Sequence, residues 1–161
     1  MRLGLAAGIG IALPGCLRPM LAEESEASAV RGRVALPPVT DRLSRAMNDV
    51  LQSRLGRPGP DPTLRLVVDR QLSERGLLVQ QDNAVTRINV TAIARFALYR
   101  DGVAEPVLEE RLVSEAGFDQ TASLYASRTT KRDVEDRLMR DLGERIARRV
   151  LVRTRSSEAT G

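Results

Sequence analysis

Cys16 is the one cysteine of the 161-residue chain and its most nucleophilic side chain, and its neighbours define what the thiol can do. It stands directly after Leu13-Pro14-Gly15, behind an unbroken apolar run at residues 3–13 and a short basic start at Met1 and Arg2. This is the order of a secretory signal ending in a bacterial lipobox. In that chemistry the sulfur receives a diacylglycerol and the chain is cut before it, so Cys16 becomes the first residue of the mature protein. The apolar run is too short to cross a bilayer, which takes about 20 residues. Ordinary secretion would leave a free thiol in an oxidising compartment, where unpaired cysteines are uncommon. Acylation accounts for a solitary cysteine better, although Pro14 occupies a position that is usually small.

The remaining chemistry is carried by guanidinium and carboxylate groups. The chain has no histidine and no tryptophan, so histidine-based triads and zinc or haem sites built from histidine and paired cysteines have no material. Of the 25 basic residues all but Lys131 are arginine, and arginine binds phosphate and carboxylate in a bidentate fork. The formal charge of +4 falls to about +3 once Arg2 is removed, a weak surplus. With only 2% aromatic residues and an export signal, a nucleic-acid binder is disfavoured. One carboxylate enzyme deserves weighing, with Glu109 acting beside Glu110 or Glu115 on a glycan. No cleft is legible around them, and two carboxylates on one strand face are ordinarily just solvated, so the sequence argues against an enzyme.

These groups must be positioned by the following elements. Residues 1–15 read as the lipoprotein signal and 16–30 as a lipidated flexible tether containing Glu23, Glu24 and Glu26. A single domain is expected over 31–153. It opens with a short strand at 31–36, stopped by Pro37-Pro38, and continues with a helix N-capped by Thr40 whose apolar face is Leu43, Met47, Val50, Leu51 and Leu55. Period-two alternation from Leu64 to Leu72 predicts a half-buried strand. Residues 73–84 read as a loop. The clearest strand is 86–99, with Ile88, Val90, Ala92, Ala94, Phe96 and Leu98 on one side and Arg87, Asn89, Thr91 and Arg95 on the other.

Asp101-Gly102 predicts a tight hairpin turn into an antiparallel strand with Leu108, Leu112, Ala116 and Phe118 inward, and Pro106 predicts a bulge or an edge. The last element is a helix from about 123 to 153 with the seam Val134, Leu138, Leu142, Ile146 and Val150. On its solvated side Asp133, Asp136, Asp141 and Glu144 each precede an arginine by four residues, spacing that favours ion pairs within the helix. Residues 154–161 read as a disordered tail. The order β-α-β-β-β-α predicts an α+β two-layer sandwich, a four-stranded mixed sheet with two helices on one face and the other face open.

Cys16-Leu-Arg-Pro-Met20, this element order, and the Ser123-Leu-Tyr-Ala-Ser-Arg-Thr-Thr-Lys-Arg-Asp-Val-Glu-Asp-Arg137 opening of the long helix resemble the LptE family of lipopolysaccharide-assembly lipoproteins. The likeness spans residues 13–153; family members often read Cys-Gly-Phe-Arg-Pro-Leu-Tyr after cleavage, where this chain has Leu17 and Met20. The resemblance implies an outer-membrane, lipid-anchored protein whose domain plugs the lumen of the LptD-type β-barrel and assists lipopolysaccharide insertion into the outer leaflet. It implies no turnover and no cofactor beyond the covalent lipid on Cys16. Leu17, in place of an aspartate that favours inner-membrane retention, agrees with outer-membrane sorting. Because lipopolysaccharide carries phosphates, Arg87, Arg95, Arg128, Lys131 and Arg132 are its candidate contacts. The competing reading is an accessory lipoprotein of an inner-membrane transport complex.

Overall fold

The structure is a computed structural model, and the residues it describes are 30–79, 85–121 and 123–158. Cys16, the signal and nearly all of the expected tether lie outside the described residues. The elements are β1 (Val34–Ala35), α1 (Arg42–Leu55), β2 (Leu64–Val79), β3 (Val85–Arg100), β4 (Pro106–Asp119) and α2 (Leu124–Glu158). The sheet order is β1-β2-β3-β4, with β1 parallel to β2 and the other pairs antiparallel, which is the expected α+β architecture with a mixed sheet.

The inward faces follow the alternation of the strands. Leu64 and Leu66 of β2, Val90, Ala92, Ala94, Phe96 and Leu98 of β3, and Leu112 and Phe118 of β4 are buried. They meet Met47, Leu51 and Leu55 of α1 and Val134, Leu138, Met139, Leu142, Ile146, Ala147 and Val150 of α2 in one core. Small residues at Ala92 and Ala94, in the centre of the sheet, let the helix layer approach closely, which a close-packed interior requires.

The first strand covers Val34–Ala35 rather than 31–36, because residues 31–33 form a turn, and four further boundaries differ from the sequence reading. The N-cap of α1 is Asp41, one residue after Thr40: its carboxylate accepts the Ser44 N–H at 2.7 Å while the Ser44 hydroxyl accepts the Asp41 N–H at 2.9 Å. This reciprocal capping box satisfies two orphan donors where a threonine alone satisfies one. β2 does not stop at Leu72 but runs to Val79, pairing Ser73 with Thr91, Glu74 with Val90 and Arg75 with Asn89. Residues 73–76 are exposed, so backbone pairing carries this ribbon and no apolar alternation marks it. The remainder of that expected loop, 80–84, lies outside the described residues.

The third difference is the β3–β4 connection. Asp101 and Gly102 are the central residues of a turn closed by Val103 N–H on Arg100 C=O at 3.1 Å, with Gly102 at φ 72°. Ladder pairing resumes only at Tyr99 and Pro106, across a register shift, so the loop is longer than a two-residue hairpin. Pro106 thus starts an edge strand beside a bulge, where its missing donor costs no ladder bond. The fourth is the end of α2, which continues to Glu158, with Thr154 buried and its hydroxyl donating to Val150 C=O at 3.0 Å. Only 159–161 of the expected tail lie outside the described residues.

Candidate functional site

Ser123 opens α2: its hydroxyl accepts the Ala126 N–H at 3.3 Å, and the buried Ser127 hydroxyl accepts Thr121 N–H at 3.0 Å, tying the helix start to the end of β4. This anchoring fixes Arg128 and Lys131 one turn further on, above the last core residues of the sheet. Arg128, Lys131, Glu74, Ile88, Phe118, Gln120 and Ser127 line a shallow notch of about 130 Å³ with an apolar floor. Lys131 pairs with Glu74 on the helix side of β2 and lies 3.9 Å from Glu135. Arg132 contributes its carbonyl to Arg42, at 3.2 Å, and its side chain is exposed. Among the described residues no acid reaches the side chain of Arg128 or Arg132, which leaves both cations on the start of α2 uncompensated.

Arg87 stands at the same end of the sheet but on the opposite face, paired with Asp119 at 3.0 Å. Arg95 does not join. It lies eight residues along β3, roughly 26 Å away at about 3.3 Å per residue, beside Asp69 at 3.8 Å. The structure therefore gathers Arg128, Lys131 and Arg132 on the start of α2, brings Arg87 to the rim, and separates Arg95 from them.

Two residues of the stretch that carries the family resemblance flank this cluster, and the sequence left one of them, Tyr125, open between packing residue and ligand contact. Leu124 and Tyr125 are 63% and 82% exposed, so Tyr125 is not a packing residue. Leu124 is in phase with the seam, three residues before Ser127, yet it is exposed. Apolar side chains beside uncompensated cations suit an amphiphile that carries acidic groups. Tyr99, at the other end of β3, is half-buried beneath Arg65, whose guanidinium carbon is 4.9 Å from the ring centre.

The open sheet face carries Arg65, Asp69, Arg95, Glu109, Arg111 and Glu115, all exposed, around the half-buried Ile93, Ala97 and Val113. The six charges are balanced three against three, with Arg95 between Asp69 on one neighbouring strand and Arg111 on the other, and Thr91 donates to Glu115 at 3.1 Å. The carboxylates weighed for glycan chemistry are not assembled on it. Glu110 points to the helix side, where Arg149 holds it at 3.3 Å. Glu109 and Glu115 are separated by six residues of extended chain, roughly 20 Å, well beyond the spacing of a glycosidase pair. Among the described residues no group of three metal-ligating side chains is placed to hold an ion, and no helix is long and apolar enough to cross a membrane.

The same fold is found in a protein from Caulobacter crescentus CB15, at 18% identity and a TM-score of 0.58, covering 84% of this chain and 97% of that one. A minor lipoprotein from Acinetobacter baumannii matches at 16% identity and a TM-score of 0.55, over 74% and 88% of the two chains. Rare lipoprotein B from Shewanella oneidensis matches at 14% identity and a TM-score of 0.52, over 79% and 95%. No curated protein matches the chain. The LptE family model, described as lipopolysaccharide assembly, matches residues 28–150, which takes in every strand, α1 and most of α2, and on that extent the chain belongs to the LptE family.

Proposed function

We propose that this protein is an outer-membrane lipoprotein, anchored through an acylated Cys16, that plugs and helps to assemble an LptD-type β-barrel and assists lipopolysaccharide insertion into the outer leaflet. The observation that carries this reading is the family match over 28–150, taken with an open sheet face that exposes basic and acidic side chains in equal number. A barrel lumen is polar, so a plug that docks there needs a polar, nearly balanced surface rather than an apolar one. Arg65, Asp69, Arg95, Glu109, Arg111 and Glu115 supply it. Arg95 is better placed for barrel docking than for lipopolysaccharide, given its distance from the tip.

The tip is the lipopolysaccharide contact in this reading. Arg128, Lys131 and Arg132 meet phosphates through charge-assisted hydrogen bonds, Arg87 assists from the rim, and Leu124 with Tyr125 lies against acyl chain or sugar face. No chemical turnover and no cofactor beyond the anchor are required, because the work is binding and occlusion.

Depletion of the protein, followed by assay of surface lipopolysaccharide and of barrel maturation, tests the function. Loss of both is expected, and unchanged levels of both would remove the reading. Affinity purification from detergent-solubilised membranes is expected to recover a large β-barrel. Recovery with the inner membrane on fractionation would favour an accessory role in an inner-membrane complex.

A further inference from the structure

The end of the domain opposite the tip holds a second cationic site. Here the described chain enters at Val30, which is buried and accepts the Arg33 N–H at 3.1 Å, and β1 joins the start of β2 through Leu64 N–H on Arg33 C=O at 2.9 Å. Leu64 is paired with Arg100, so β3 ends at the same place, and the last turns of α2 return to it through Arg153 Nε, which donates to Val107 C=O at 2.8 Å. Three elements far apart in sequence thus bring Arg33, Arg100 and Arg153 around one cleft of about 330 Å³, with Thr63, Leu64, Leu98, Val107 and Thr154 completing its wall.

The arginines are positioned by their surroundings. Arg33 Nε donates to the Thr63 hydroxyl at 3.4 Å, and Arg153 is held by the Val107 carbonyl. Arg100 is shared with an adjoining notch of about 350 Å³, whose wall includes Arg65 and, as a partial counter-charge, Asp101. The wall mixes guanidinium groups and threonines with aliphatic side chains, which matches a phosphodiester carried on an apolar body rather than a free anion alone.

We propose that this cleft binds the phosphate headgroup of an anionic phospholipid in the leaflet from which the tether comes. The proposal rests on the anchor reading only for direction: the chain enters the domain at the cleft, so a lipid on Cys16 would bring this end, and not the tip, to the membrane. The cleft then acts as a second contact beside the acyl chains, setting the domain's orientation. The diacylglycerol on Cys16 already holds the protein through two acyl chains, so the basic cleft beside it adds orientation rather than retention.

The test uses the mature chain, residues 16–161, carrying Cys16→Ser, so that neither an acyl group nor the apolar signal contributes, in co-sedimentation with vesicles of phosphatidylethanolamine containing phosphatidylglycerol. Binding is expected, and Arg33→Gln with Arg100→Gln should weaken it by about fivefold or more. Arg75→Gln with Arg140→Gln removes the same charge elsewhere and should leave it within about twofold. Arg33→Lys with Arg100→Lys should restore most of the binding, which a folding defect in the glutamine pair would not predict. Equal losses from the two glutamine pairs, or binding only to lipopolysaccharide micelles, would overturn the proposal. So would chemical-shift changes at the cleft with inorganic phosphate but no vesicle binding, which would make it a free-anion site. Because the acyl group is absent throughout, failure of the anchor reading alone would leave the vesicle result standing.

Discussion

Gly143 of α2 lies against the main chain of α1 at Met47: a Cβ placed on it would stand 3.0 Å from the Met47 carbonyl oxygen and 3.3 Å from Val50 Cβ. The two helices can approach this closely only because the position has no side chain. Gly143→Ala gains about 1 kcal/mol of helix propensity but overpacks a backbone atom that cannot rotate away, a cost of about 1–3 kcal/mol. A net loss of about 1 kcal/mol is expected, read as a fall in Tm of a few degrees by circular dichroism. Gly143→Leu should lower Tm further.

Asp41 has its carboxyl held at about 2, well below the usual 3.8, chiefly by the Ser44 backbone N–H; desolvation opposes this, and Arg70 and the Ser44 hydroxyl each lower it further by less. A carboxylate depressed in the folded state stabilises fully above its unfolded pKa and loses that contribution as pH falls through the folded one. The window is therefore about pH 4 to pH 2. Asp41→Ala should cost about 1 kcal/mol at neutral pH by removing the cap. Asp41→Asn should keep most of the cap and flatten the acid limb of stability, as followed by urea melts at stepped pH.

Glu144 takes Arg54 of α1 in a bidentate pair, with Nε donating at 2.9 Å and Nη2 at 3.0 Å, instead of the Arg148 that follows it by one turn. Glu144 in turn pushes the Arg54 pKa upward. Both side chains are substantially exposed, so a double-mutant cycle of Arg54→Ala and Glu144→Ala should give a coupling of about 0.5 kcal/mol. The cycle of Glu144→Ala with Arg148→Ala should give about zero. A larger coupling in the second cycle would mean that the helix pairs its charges internally after all.

Arg145 reaches from α2 to the edge of the sheet, where Nη1 donates to the Val113 carbonyl at 2.7 Å. Together with Arg153 on Val107, it covers outward-facing carbonyls of β4 that would otherwise template pairing with another chain. Arg145→Ala should cost about 1 kcal/mol and speed amide exchange in β4. Concentration-dependent association by analytical ultracentrifugation should rise with it.

At the tip, Arg128→Gln should reduce lipopolysaccharide binding several-fold, about the effect of one charge-assisted contact, with Tm unchanged because the side chain is exposed. Tyr125→Ala should weaken binding similarly. Loss of binding with either variant while Arg95→Gln retains it would separate the tip from the sheet face.

The physical reach of local pattern explains what was legible. Ile88 through Leu98 alternate on β3 because one face of that strand is buried along its whole length, and Val134 through Val150 recur at helical spacing because α2 lies on the sheet along one stripe. Element order and face assignment could be read from such periodicities alone. Residues 73–76 were illegible for the same reason, since a ribbon whose side chains are exposed on both sides imposes no period on them.

The acidic residues of α2 show the limit most directly. By spacing, Asp136 and Glu144 each have an arginine one turn ahead, yet Asp136 and Glu135 pair with Arg42, and Glu144 with Arg54. The choice fell to the packing of α1 against α2, which brings α1 arginines as close as the intrahelical ones. The gathering of Arg128 and Lys131 over Ile88 and Phe118, and of Arg33, Arg100 and Arg153 around one cleft, was decided in the same way. By itself the sequence determined which faces would be buried, because burial leaves a period in the chain; only the tertiary structure decided which charges would meet, because residues so far apart along the chain leave no such mark.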